Sequence, residues 1–298
     1  EADRMEEAAR LYGYDRLPLT LPKVDLGSPE PDTERKQRLH IADRLTSAGF
    51  TEAINYSFVS EKHGEMCNIA SDDPRYQVVR LLNPISEEQS VLRTMLLPGL
   101  LDNVRRNINF QRTDIKLFEI GKVFQPAGVN VQPIETMRFT GVLSGNRYGE
   151  SSPLYFKQEG VDIFDTKGSV ECIIREMGLL RTTTPDAIQF VAPKDGCGEP
   201  YVEIGYSLDI FHGSQKLGSL GKVKTEVLRR FAIKHDVYFF DLDFQALCGP
   251  KTINKKFASL PVYPSVKRDI ALVVPDSVSS GELLTAVRMQ PDKLIESC

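Results

Sequence analysis

Residues 86–124, SEEQSVLRTMLLPGLLDNVRRNINFQRTDIKLFEIGKVF, narrow the folds open to this chain more than any other stretch. They read as a short strand over 90–94, a helix and a second strand. Pro98 stands where a first-turn proline belongs, because its missing N–H has no helical partner there. Leu97, Leu100, Leu101, Val104 and Ile108 recur at helical spacing and form one apolar stripe, with Arg105, Arg106 and Asn107 facing away. Ile115, Leu117 and Glu119 then alternate with Lys116, Phe118 and Ile120, so this strand is expected to be covered on much of both faces. A unit this apolar cannot stand alone and must sit at the centre of a larger sheet.

The rest of the chain supplies that sheet. Strands are expected over 50–59, 77–82, 137–143, 187–192, 201–211, 216–223 and 237–244, with a hairpin turn at His212–Gln215. A helix ends at Ser47, before the stop signal Gly49, with Leu39, Ala42, Leu45 and Ala48 as its buried face. A second runs over 161–178, its apolar side formed by Phe164, Val170, Ile173, Ile174 and Met177. Gly168 in mid-helix costs about 1 kcal/mol relative to Ala, which predicts a close packing contact there. Residues 1–18 form a helix and turn, with Gly13 at the stop and Met5, Ala8, Ala9 and Tyr12 on one face. Asp3, Glu6 and Glu7 stand at i, i+3 and i+4 on one side. Three carboxylates within a turn can hold Mg²⁺, although acidic residues also favour a helix start for electrostatic reasons alone.

Composition removes several function classes. Cys67, Cys172, Cys197, Cys248 and Cys298 are scattered, odd in number and without a C-x-x-C pair. That argues against a zinc cluster or disulfide framework and fits a reducing cytoplasm. No apolar run approaches the ~20 residues of a membrane span. The formal net charge of −4 supplies no global basic field, so any RNA contact needs a local patch. The acidic start is no secretory signal; lacking an initiator Met, the chain is expected to be a piece of a longer one.

Four stretches in order carry a resemblance: DRMEEAARLYGYDRLP, LRTMLLPGLL followed by IKLFEIGKVF, VDIFDTKG, and FASLPVYPSVKRDIALVV. Together they resemble the phenylalanyl-tRNA synthetase beta-subunit family, bacterial type. The resemblance implies an α+β fold: a class II aminoacyl-tRNA synthetase-like antiparallel sheet flanked by helices, plus a truncated ferredoxin-like piece. It divides the chain into the end of a helical domain (1–20), a linker (21–31), the synthetase-like core (32–247), a second linker (248–256) and the start of a ferredoxin-fold anticodon-binding domain (257–298). Within that last piece, a strand over 267–274 and a helix capped by Ser279 or Ser280 are expected. The helix ending at Ser47 and the strand after it look like the element that builds class II dimer interfaces. The family also implies that Asp3, Glu6 and Glu7 belong to a magnesium site shared with the alpha subunit, incomplete here because an upstream ligand is missing. Implied partners are the alpha subunit, with two alpha and two beta subunits in the assembly, the tRNA for phenylalanine, and ATP and phenylalanine held by alpha.

Other chemistry finds no support. GSQKLGSLGK at 213–222 misses the phosphate-loop pattern, with Ser219 where its Lys belongs. His40, His63, His212 and His235 lack metal-ligand spacing. Leu117 stands where class II enzymes carry an Arg two residues before the Glu matched by Glu119. Lys224-Thr225 replaces the family's usual His-Pro. Without cations placed for phosphates, adenylate formation lacks electrostatic support, so the chain is expected to be catalytically inactive. Two rival readings are an independent class II-like ligase and a free-standing RNA-binding module. Arg105, Arg106 and Arg112 read as a solvated helix face.

Overall fold

Alternation in residues 134–144 and 237–243 sends Phe139, Phe240 and Leu242 to one side and Thr140, Asp241 and Asp243 to the other. The computed structural model shows what each side meets. It describes residues 1–298 except 22, 24–31, 129–130, 150–153, 155–156, 180–187, 194–197, 250–263 and 291–298. The linkers expected at 21–31 and 248–256 and both ends of the 257–298 piece therefore lie wholly or mostly outside the described residues.

The chain divides into two compact units, Glu1–Thr33 and Glu34–Cys298. In the first, α1 (Ala2–Tyr12) stops at Gly13, whose φ of 100° suits glycine, and a 3₁₀ turn follows at Tyr14–Arg16. None of the residues in these two helices is buried.

The second unit is built from α2 (Thr33–Ser47), β1 (Thr51–Glu52), β2 (Phe58–Val59), α3 (Lys62–Met66), β3 (Val91–Leu92), α4 (Leu97–Asn109), β4 (Ile115–Gln125), β5 (Ile134–Ser144), α5 (Ile163–Glu176), β6 (Ile188–Val191), β7 (Val202–His212), β8 (Gln215–Val223), α6 (Thr225–Arg230), β9 (Val237–Asp243), α7 (Phe244–Cys248) and α8 (Ser280–Arg288). Seven strands pair in the order β1-β4-β5-β9-β8-β7-β6; β1 runs parallel to β4 and the other neighbours are antiparallel. β2 and β3 form a separate antiparallel pair.

One sheet face is dry over its centre. Phe118, Phe139, Phe240 and Leu242 meet Ile41 and Leu45 of α2, Ile173 and Ile174 of α5, and Leu247 of α7. Each such side chain contributes ~1.5–3 kcal/mol by leaving water. Gly141 is required there, since a Cβ at that position would stand 2.3 Å from Cζ of Phe240. The opposite face is apolar only toward one end, where Leu100, Leu101 and Val104 of α4 join Val142, Phe239 and Val227.

Several expectations fail for identifiable reasons. The strand over 50–59 breaks into β1 and β2, which join different sheets, because Asn55 between them turns inward to bond Glu119. Residues 77–82 make only an isolated bridge, Arg80 to Val91. Residues 267–274 form no strand, and Ile270, Leu272 and Val273 are exposed. In α2 it is Ile41 and Leu45 that are buried, whereas Leu39 is exposed. Phe164, 74 % exposed, is not on the buried side of α5, and nothing lies within 4 Å of a Cβ built on Gly168, so the expected packing contact there is absent. Two short helices, α3 and α7, are not among the expected elements, and Phe244, expected to end the last strand, instead begins α7. The Ser279 cap of α8 forms as expected, in a capping box with Glu282.

Candidate functional site

Strand register assembles the site. Glu119 lies opposite Thr140, Thr140 opposite Asp241, Asp241 opposite Ser219, and Ser219 opposite Asp209. Five polar side chains thus cross β4, β5, β9, β8 and β7 in one row on the less apolar face. Above part of this row opens a cleft of about 440 Å³, lined by Arg75, Arg138, Glu199, Lys216, Ser219, Asp241 and Asp243, among others.

Every cation of the cleft is already held. Arg75 donates to Asp73 and to Glu199, each at 2.7 Å. Arg138 donates to Asp241 at 2.5 Å and lies 3.7 Å from Asp243. The Lys216 ammonium lies 2.8 Å from Asp209 and 3.8 Å from Glu199. The three cations of the cleft are thus met by its three carboxylates, Glu199, Asp241 and Asp243, and by Asp73 and Asp209 outside its lining. Burial works against the charge on Arg75, but its hydrogen bond to Asp73 and the charge of Glu199 outweigh it and raise its pKa. Arg138 behaves alike, with Asp241 as the compensating charge. Burial, followed by the charges of Glu199 and Asp241, pushes the Tyr201 phenol well above its ordinary range. The sequence places no Arg at the motif position taken by Leu117; the cations that do border the cleft come from elsewhere in the chain, and among the described residues each already has an acidic partner.

At the β4 end of the row, Glu119 is closed off from the cleft chemistry. Its carboxylate accepts from Arg93 Nη1 at 2.5 Å and from Asn55 Nδ2 at 2.7 Å, with the Arg93 and Glu119 side chains only 8 % and 4 % exposed. Asn55 in turn accepts from Asn103 of α4, and Arg93 Nε donates to the Lys122 carbonyl. Gly121 makes room for the guanidinium, since a Cβ there would lie 2.3 Å from Arg93 Nη2. This clamp pins Asn55 inward while Ile54 and Tyr56 point out, 87 % and 78 % exposed. Sequence reasoning singled out Glu119 but missed Arg93, Asn55, Asp209 and Asp241. LRT preceding the helix was the one available signal.

The carboxylates suggested for a magnesium site completed by a partner are open to solvent. Glu7 accepts from Arg10 at 2.6 Å, all three of Asp3, Glu6 and Glu7 are exposed, and no group of three His, Cys, Asp or Glu among the described residues can hold a metal ion. The residues present do not by themselves fit Mg²⁺. Of the arginines of α4, Arg105 bonds Asp102 at 2.9 Å.

The architecture is shared with a pyrrolysyl-tRNA synthetase from Desulfitobacterium hafniense, which covers 72 % of this chain and 68 % of its own with a TM-score of 0.53 at 16 % identity. A second structure of that organism's enzyme aligns with a TM-score of 0.51 over 72 % of this chain and 67 % of that one, at 15 % identity. The fold is that of the class II aminoacyl-tRNA synthetases: a mixed sheet flanked by helices.

Within that class the family is specific. The model described as phenylalanyl tRNA synthetase beta chain CLM domain matches residues 17–244. The phenylalanine–tRNA ligase beta subunit of Desulfotalea psychrophila is 56 % identical over 99 % of this chain and 36 % of its own length. The beta subunits of Geobacter metallireducens and Bacillus subtilis are 35 % and 34 % identical, over 96 % and 99 % of this chain and 34 % and 35 % of theirs. The chain belongs to the phenylalanyl-tRNA synthetase beta-chain family, and spans about a third of the length of these curated relatives.

Proposed function

We propose that this chain is a non-catalytic, synthetase-like part of a phenylalanine–tRNA ligase, which supports ATP-dependent attachment of phenylalanine to its tRNA. It packs against the alpha subunit, in an assembly of two alpha and two beta subunits, and helps position the tRNA; ATP and phenylalanine bind alpha. Residues 32–247 are the core of this part, 1–20 end a preceding helical domain, and 257–298 begin an anticodon-binding domain. Its place is the cytoplasm; among the described residues no helix is long and apolar enough to cross a membrane. In the intact enzyme Asp3, Glu6 and Glu7 contribute to a magnesium site that needs ligands beyond this chain.

The observation that carries the reading is the charge-saturated cleft. A nucleoside triphosphate brought there meets three carboxylates, Glu199, Asp241 and Asp243, and three cations that already have partners, so transition-state charge on the phosphates finds no free donor among the described residues. The outward Ile54 and Tyr56, on the segment after α2, supply apolar surface for the alpha subunit. Co-expression with an alpha subunit and size-exclusion chromatography test the scaffold role, with co-elution expected. ATP–pyrophosphate exchange by the isolated chain is expected to stay at background; turnover there would establish the independent-ligase reading instead.

A further inference from the structure

We infer that Asn55 is a positioning residue: held by the buried Arg93–Glu119 pair, it turns Ile54, Tyr56 and Phe58 outward as a preformed apolar strip for the alpha subunit. This rests on the scaffold reading and deepens it. Residues 53–59 lead from β1 into β2, and their exposure alternates. Ile54, Tyr56 and Phe58 are 87 %, 78 % and 43 % exposed, whereas residues 53, 55, 57 and 59 are half-buried. A segment lying over a core ordinarily turns its apolar residues inward and its polar ones out. Here that order is reversed.

Asn55 enforces the reversal. Its backbone N–H and its Nδ2 donate to the two Glu119 oxygens, at 3.3 and 2.7 Å. Its Oδ1 accepts from Asn103 of α4 at 3.0 Å, and its carbonyl accepts from Arg93 at 3.4 Å. The segment is tied on either side as well: Ala53 N–H donates to the Phe118 carbonyl at 2.7 Å, and Arg93 N–H to the Ser57 carbonyl at 2.9 Å. Gly99 leaves the space for this side chain, since a Cβ there would lie 3.3 Å from Asn55 Nδ2. A slip of one residue would set Ile54 or Tyr56 against Glu119 and deprive its buried carboxylate of an acceptor's partner. The strip is therefore ordered before any partner arrives, which lowers the entropy lost on association. Its three outward side chains carry no charge, so a polyanion such as tRNA finds nothing there to hold it. An apolar protein surface matches instead, and membership of a beta-chain family makes the alpha subunit the partner of that kind.

The test measures the affinity of the full chain for the alpha subunit by surface plasmon resonance, with amide exchange of residues 53–59 and the thermal transition read in parallel. Asn55→Leu is expected to weaken alpha binding about tenfold and to speed exchange at 53–59 in a chain that still unfolds cooperatively. Asn103→Ala removes one bond to Asn55 at a helical position that accepts alanine, and is expected to weaken binding about threefold. It keeps the test open if Asn55→Leu does not fold. Tyr56→Ala removes a contact outright, with an expected loss of about tenfold. Because Asn55 acts through Tyr56 and its neighbours, the Asn55→Leu/Tyr56→Ala chain is expected to lose about twentyfold, short of the roughly hundredfold of independent effects. Folded Asn55→Leu and Asn103→Ala chains that bind alpha as tightly as the wild type overturn the inference, as do losses that multiply or exchange at 53–59 that stays unchanged. In those cases the wild type still binds alpha and the scaffold reading stands. A wild-type chain that does not bind alpha sinks the scaffold reading and this inference with it. Self-dimerisation of the wild-type chain, abolished by Tyr56→Ala, assigns the strip to a second copy and also overturns the inference.

Discussion

The two faces of one sheet use opposite means to stay closed. The Phe118–Phe139–Phe240 face is sealed by α2, α5 and α7 and needs only shape: ring centroids of Phe139 and Phe240 lie 5.3 Å apart, edge to face, over Gly141. The other face is half helix-covered and half cleft, and along it charge replaces shape. At its β4 end Arg93 and Glu119 are dry and mutually dependent; toward β7 and β8 the pairs are half-exposed. The difference teaches that the position of a charge relative to water decides its structural weight. The same Arg–carboxylate contact is a keystone under α4 and a tunable surface feature in the cleft.

Breaking the keystone is the largest effect expected. Arg93→Met leaves Glu119 and Asn55 buried without their partner and is expected to cost about 3–5 kcal/mol, read by urea unfolding. The double variant Arg93→Met/Glu119→Leu is expected to recover most of the loss, because the uncompensated charge is then gone. A double variant no more stable than the single one would show that the pair's bonds, and not an orphaned charge, hold that end together. On the shape-sealed face, Gly141→Val drives a side chain into the Phe240 ring, with an expected loss of about 1–3 kcal/mol and a shifted aromatic spectrum.

A pH effect is expected at the α3 end of the charged face. His63 has its pKa held below 6.5, first by burial and against the pull of Asp102, whose carboxylate lies 3.7 Å away. The unfolded chain therefore binds this proton more readily than the folded one. The His63 contribution is constant above about pH 6.5 and declines as the pH falls below it and through the folded pKa. Thermal midpoints across that range are expected to fall less steeply for His63→Gln than for the wild type. The smallest effect is a gain. Gly168→Ala on the exposed face of α5, with open space around the added methyl, is expected to stabilise by up to about 1 kcal/mol. A loss at that position would mean the surface is covered in a way the isolated fold does not explain.

Much of the architecture was legible because it is written in local periodicity. The α4 stripe, Pro98 at its start, the β4 alternation and the β7–β8 hairpin over Gly213 (φ 58°) all follow from spacing and turn chemistry. The errors lie where a long-range bond overrules propensity. Asn55 interrupts an aromatic-rich stretch to reach Glu119, 64 residues away, and no local rule anticipates that bond. Residues 267–274 carry a strand pattern, yet the described residues offer them no ladder to join. Phe164 fits the helical stripe of α5 by period but falls beyond the edge of the sheet-covered face.

The candidate site was barely legible, for the same reason. Glu119 could be singled out by motif, but its neighbours in the polar row come from four other strands whose register is set only when the sheet forms. By itself the sequence determined the elements, the family resemblance and the lack of a phosphate-loop or catalytic pattern, since each depends on residues close in the chain. Tertiary structure alone decided that Asp209, Ser219, Asp241, Thr140 and Glu119 share a row, and that Arg75, Arg138 and Lys216 enter the cleft already neutralised. Pairing between distant strands is a matter of register, and a shift of one residue would turn every one of those side chains to the opposite face.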